Sequence, residues 1–278
     1  MGLVQCKVHE IVEEAVKKNI DIPEFQRDFV WGPEKVKFLA ESLYRNYPIG
    51  SLLYWGNKEY LHPKTSEGPP PIYWIVDGQQ RVTALCILFG VKPYWWPESK
   101  KWNEYLERYD VMVNILPEND ILEFALPNPI RRRDPKWISL RKILQIKNVE
   151  ELTNIASSIV KKIRGQEKTK PLTKWIDKSY EDYKDFELLG KIHANLHGLW
   201  QIRQREIPVI TINHEIEDVA EIFRRLNQEG TRIKEADVVL ALVAVYNPGW
   251  VRHEYLPFRE DLDSKGWDLE AGIYIRTI

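Results

Sequence analysis

Hydrophobic positions along the 278-residue chain change period several times, and each change marks an element. Val8, Ile11, Val12, Ala15 and Val16 recur at helical spacing and predict a first helix ending near Asn19. Ile22, Phe25, Phe29 and Trp31 fit neither period, so this stretch reads as an extended segment anchored by aromatics. Gly32-Pro33 opens a second helix, with proline at its first position and Val36, Leu39, Ala40 and Leu43 as its buried stripe. Pro48 to Ser51 reads as a turn, Leu52 to Trp55 as a strand, and polar residues 57–71 as a surface loop closed by prolines.

The stretch from Tyr73 to Phe89 switches period in its middle. Tyr73-Trp-Ile-Val is a buried strand, Asp77-Gly78 suits a tight turn, and Val82, Leu85, Cys86 and Phe89 then lie on one face of a helix. Further strands are expected at Asp110 to Leu116, Leu122 to Leu126 and Ile207 to Ile212. Helical spacing covers Ser139 to Ile146, Val149 to Arg164, Lys174 to Arg203, Ile216 to Asn227, Lys234 to Tyr246 and a tail from Leu262. That tail reaches Ile278 without a cap, which suggests that the natural chain continues. The order predicts an α+β protein: a mixed core over 1–127, a basic proline-flanked link from Asn128 to Pro135, and a mainly helical part over 128–278.

Composition narrows the classes. Forty Lys+Arg balance 41 Asp+Glu, so nucleic-acid contact must come from a local patch. Two distant cysteines, Cys6 and Cys86, make neither a disulfide framework nor a metal cluster and fit a reducing cytosol. No signal-peptide core and no membrane-length apolar run is present. Eleven tryptophans are numerous; core packing is the ordinary explanation and base stacking the sharper one.

Candidate chemistry concentrates at the Asp77 turn. Gln79, Gln80 and Arg81 fall in the first helical turn, where free N–H groups and the helix dipole favour an anion. Arginine and amides there can grip phosphate oxygens, whereas the plain alternative is an Asp-capped helix with solvated polar residues. Gln26-Arg27 is a second polar pair in an apolar setting, suited to phosphate or to a structural ion pair. Arg131, Arg132 and Arg133 read as DNA-phosphate contacts or as a solvated basic loop. His193 and His197, four apart, lack a third partner for a metal. There is no Walker loop, Rossmann fingerprint or CxxC pair.

Three stretches together carry a resemblance: Ile22 to Trp31, Val76 to Thr83 with its Asp-Gly-Gln-Gln-Arg core, and Ile222 to Gly230. In this order and spacing they resemble the N-terminal domain of GmrSD-type modification-dependent restriction systems, related to BrxU and SspE of phage defence. The resemblance implies a ParB/sulfiredoxin-like core and binding and hydrolysis of a nucleoside triphosphate, GTP or another, coupled to cleavage of foreign, modified DNA. It places Asp77, Gly78, Gln79, Gln80 and Arg81 in the nucleotide motif, with Gln26, Arg27 and Asn227 as further nucleotide contacts. On that reading Arg81 neutralises phosphoryl charge, Gln79 or Gln80 orients water, and Asp77 holds hydrated Mg²⁺ or fixes a basic side chain. Nuclease activity would sit in a further C-terminal domain or a partner chain. The alternatives are a DNA-sensing module without hydrolysis and a ParB-like nuclease.

Overall fold

The computed structural model describes residues 2–24, 26, 28–56, 71–168, 184–215, 218–219, 221–222, 225–226, 239–240, 243–244, 246–247 and 249–267. The α+β class holds. A five-stranded mixed sheet runs in the order β1 (Gly2–Lys7), β8 (Glu206–Ile212), β3 (Leu52–Trp55), β4 (Tyr73–Asp77) and β2 (Ile20–Asp21). β1 pairs antiparallel with β8, β8 parallel with β3, β3 antiparallel with β4, and β4 parallel with β2. A smaller antiparallel sheet joins β6 (Glu123–Ala125), β5 (Met112–Asn114) and β7 (Trp137–Ser139). Each sheet therefore contains strands from both sides of Pro127.

Both faces of the large sheet are covered, which explains the unbroken apolar runs of β3 and β4. Leu52, Tyr54, Ile75 and Val209 face the larger core, with α1 (Val8–Val16), α2 (Pro33–Tyr44) and α3 (Gln79–Phe89). Leu53, Trp55, Trp74, Val76 and Ile212 face a second core built with Val219, Leu240, Ala244, Val251 and Tyr255. Alternation with period two sends successive side chains to opposite cores.

Several expectations change. Residues 2–7, read only for targeting signals, form an edge strand. The aromatic connection after Tyr94 contains α4 (Trp102–Arg108). α3 is not amphipathic: from Val82 to Phe89 every residue is buried, because α1, α2 and the sheet enclose it together with α6 (Leu140–Leu144). The basic link folds into α5 (Pro129–Arg133), capped where Asn128 Oδ1 accepts from Arg131 N at 2.7 Å. Helices α7 (Glu150–Lys168) and α8 (Asp185–Trp200) close the larger core. α8 accounts for only the end of the Lys174–Arg203 expectation; residues 169–183 lie outside the described set. Near the chain end, a π-helical turn Val251–Tyr255 leads into α9 (Leu256–Ser264), which stops before Gly266 at φ 86°. Among the described residues no helix is long and apolar enough to cross a membrane.

Candidate anion site at the start of α3

β4 delivers the chain to Asp77, and Gly78 turns it into α3. Gly78 has φ 99°, the left-handed region that glycine reaches without strain. A Cβ there would meet Leu52 Cδ2 at 2.3 Å, so space also demands glycine. As the N-cap, Gly78 supplies no side chain, and no side-chain cap closes the first turn of α3. Asp77 is thus not the cap; it is the last strand residue, opposite Leu53 in β3.

Its carboxylate is used by Arg81 instead. Arg81 Nη2 donates to Asp77 Oδ2 at 2.7 Å, and Arg81 Nη1 donates to Ile49 O at 3.0 Å. The guanidinium lies between two glycines: a Cβ at Gly50 (φ 83°) would sit 2.7 Å from Arg81 Nη1, and one at Gly78 3.3 Å from Arg81 Nη2. A half-open cleft of about 480 Å³ lies along the same loop, walled by Ile49, Gly50, Ser51 and Arg205.

The two glutamines are structural fasteners in this state. Gln80 Oε1 accepts from Val30 N at 2.9 Å, while Gln80 Nε2 donates to Asp28 O at 2.9 Å and to Gln79 Oε1 at 3.0 Å. Gln79 is buried. Gln26, also buried, donates through Nε2 to Val76 O at 3.1 Å. The irregular segment around Gln26 is thereby laced to the end of β4 and the start of α3, uniting two of the three sequence stretches. Arg27 and Asn227 lie outside the described residues.

More bonds fix the same segment. Asp28 Oδ2 pairs with Lys100 Nζ at 2.9 Å and with Arg259 Nη2 at 3.7 Å. Tyr109 Oη donates to Trp31 O at 2.8 Å. Glu24, fully buried, accepts from Gly249 N at 3.0 Å and Arg252 N at 2.8 Å, at the start of the helical run leading to α9. Sequence reading missed Lys100, Arg259 and Glu24. Their partners stand 72, 231 and more than 200 positions away, so no local spacing could reveal them.

Arg131, Arg132 and Arg133 belong to a different place, α5. Arg131 Nη1 donates to Leu126 O at 2.9 Å, and its guanidinium lies over the Trp137 ring, 5.0 Å from the centroid. Arg132 and Arg133 project from α5 into a large cleft beside α7. His197 bonds Gln201 and stacks on Trp200, and among the described residues no group of three or more His, Cys, Asp or Glu could hold a metal.

A family profile described as the N-terminal domain of the GmrSD restriction endonuclease matches residues 8–244, a range that includes the turn and the laced segment. The chain belongs to this family. It is also similar to an uncharacterised protein of Methanocaldococcus jannaschii, 24% identical over 254 residues, covering 84% of this chain. The chain spans 40% of the length of that relative. In this GmrSD N-terminal domain, the matched region holds the Asp77–Arg81 turn, the Gln26 segment and the α5 arginines together.

Proposed function

We propose that this GmrSD N-terminal domain binds a nucleoside triphosphate at the start of α3 and hydrolyses it, as the regulatory part of a DNA restriction system. The observation that carries the reading is the Arg81 guanidinium held by Asp77 beside a helix N-terminus with no side-chain cap. Helix N–H groups, dipole and guanidinium then converge on one place, the chemistry that binds phosphate. The Ile49–Ser51 loop that Arg81 holds also walls a cleft of about 480 Å³, although the Asp77–Arg81 turn itself is not part of its lining.

The roles follow from the contacts. Phosphate oxygens compete with Asp77 for Arg81, and the guanidinium then neutralises charge developing on the transferred phosphoryl group. Gln80 holds the Asp28–Val30 backbone and Gln26 ties its own segment to the end of β4, so both position the chain rather than reach the reacting atoms. Mg²⁺ fits in the way it ordinarily accompanies nucleotides, held by one carboxylate and the phosphates. Asp77, partly exposed, is the residue that would hold it. When bound, the ion would supply charge neutralisation at the phosphates. DNA as the restricted substrate, and a nuclease domain in the remainder of the system, complete the proposal.

Calorimetric binding of GTP and ATP, with phosphate release, tests it. Micromolar binding that is lost in Arg81→Ala, with the fold retained, is the expected result. Absence of both binding and phosphate release for every triphosphate would overturn it.

A further inference from the structure

The C-terminal carbonyls of α3 are gripped from α6 and its C-cap: Gln145 Nε2 donates to Phe89 O at 3.1 Å and Arg141 Nε to Ile87 O at 3.4 Å, while Arg141 Nη2 donates to Leu106 O of α4 at 2.6 Å. Arg141 and Gln145 also line a cleft of about 810 Å³ between the α5–β7–α6 segment and α7. Eleven helical residues separate this cleft from the Asp77 turn, about 16 Å along the axis. It is therefore a distinct site.

The cleft has a cationic rim and an apolar floor. Arg132, Arg133, Lys142 and Lys162 come from three helices and converge on it. Among the described residues none of these four has an ion-pair partner, whereas Lys17, Arg45, Arg164 and Lys191 each do. The two acids lining the cleft are already used. Asp110 Oδ1 accepts from Ser139 Oγ at 2.6 Å and Val111 N at 3.1 Å and faces Arg141 at 3.8 Å; Asp134 Oδ1 accepts from Lys136 N at 2.9 Å. Burial lowers the Arg141 pKa, with Arg132 acting in the same direction and Asp110 offsetting part of the shift. Met112, Ile138, Ile155 and Ile159 supply apolar surface, and the half-buried Trp137, one face of which carries the Arg131 guanidinium, supplies an aromatic ring.

We propose that this cleft binds a single DNA strand, with phosphates on the Arg132–Arg133–Lys142–Lys162 rim and an unpaired base against Trp137. Charge selects the polyanion. A rim of unpaired cations gains by releasing counterions from phosphates, and a small carboxylate ligand could not span cations borne on three helices. The aromatic and apolar floor selects bases that are free to leave a stack, because every base offers a π-face to an indole. A duplex, whose bases face inward, can offer only phosphates to the rim. The site goes beyond the nucleotide reading and does not depend on it.

The test uses the 278-residue chain and a fluorescently labelled DNA strand, followed by anisotropy between about 50 and 200 mM salt. The double variant Lys142→Glu/Lys162→Glu changes two exposed side chains on different helices. It should weaken binding at least tenfold and lower the salt slope by roughly one per lost contact. Trp137→Ala should weaken binding roughly fivefold or more, and Trp137→Phe should restore most of it. Thermal melts monitor the fold, and nucleotide binding measured on the same samples should not change. Unaltered affinity in the double variant, or no binding by the parent chain, would overturn the proposal. So would equal affinity for a duplex of the same sequence, or tighter binding of the matching RNA strand.

Discussion

Arg81 Nη2 and Asp77 Oδ2 stand 2.7 Å apart across the first turn of α3, and the pair closes like a latch over the uncapped helix start. Opposite charges four residues apart at the start of a helix hold each other, and the same guanidinium is tied to Ile49 O. A triphosphate must outbid Asp77 for Arg81. Asp77→Asn weakens the latch without removing the arginine, so it should tighten nucleotide binding in the absence of Mg²⁺ while lowering hydrolysis. Arg81→Ala should abolish both and lose about 1–3 kcal/mol of stability, since Ile49 O and Asp77 then lack their partner. Calorimetry with and without Mg²⁺, beside a chemical denaturation curve, separates the two variants. Equal loss of affinity in both would show that Asp77 contacts the nucleotide directly.

Gly50 offers a gentler probe of the same arginine. An alanine Cβ would crowd Arg81 Nη1, the far end of a flexible side chain, at 2.7 Å. The guanidinium can give way, although the φ of 83° adds strain of about 1 kcal/mol or more. Gly50→Ala should therefore raise KM for nucleotide by severalfold while the domain stays folded. Gly78→Ala meets Leu52 at 2.3 Å and should unfold at distinctly lower temperature. Steady-state kinetics and thermal melts read the contrast, and an unchanged KM in Gly50→Ala would remove Arg81 from the nucleotide site.

How much of this was legible in the sequence follows from the range of each interaction. The turn at Asp77-Gly78 and the helix behind it show in local spacing, as do β3 at Leu52–Trp55 and the Pro33 helix start. What the spacing could not show is that Gln80 spends its amide on Val30 and Asp28, some fifty residues earlier. A polar residue in a first turn looks the same whether it binds solvent, ligand or backbone. The burial of α3 on all sides was hidden for a similar reason, because Thr83 and Ala84 are compatible with an exposed face. β1 escaped notice since Leu3, Val4 and Gln5 are exposed and carry no alternating pattern. The α5 arginines were visible as a run, but their division was not. Arg131 caps Leu126 and covers Trp137, while Arg132 and Arg133 face the cleft.

Gln80 yields a prediction that separates fastening from catalysis. Gln80→Glu keeps an oxygen for Val30 N but cannot donate to Asp28 O, and it adds a negative charge beside the Asp77 turn. The segment from Gln26 to Trp31 should loosen, giving faster amide exchange at Phe29 and Val30. Hydrolysis should fall mainly through a higher KM. Gln80→Ala should loosen the segment similarly, at about 1 kcal/mol because Val30 is exposed and water can replace the lost partner. Unchanged amide exchange with abolished kcat would instead mark Gln80 as a group that touches the reacting atoms.

Asp21 gives the pH dependence. It lies in β2, fully buried, with Oδ1 accepting from Ile22 N at 2.8 Å and Oδ2 without a hydrogen-bond partner among the described residues. Burial raises its pKa to about 6, against a partial offset from the Ile22 N–H and Lys18. The native state therefore keeps this proton where the unfolded chain, with an ordinary carboxyl near 3.8, has released it. Stability contributed by the protonated form is complete below pH 4 and declines as pH rises through about 6. The loss amounts to about 3 kcal/mol at neutral pH, from a shift of roughly two units. Asp21→Asn is neutral at every pH and nearly isosteric, so it should melt at a higher temperature than the parent at pH 7. It should also flatten the stability profile between pH 4 and 6. Denaturation curves across that range check the sign: a parent stability that rises from pH 4 to 6 while the variant stays flat would show that Asp21 is ionised in the native fold.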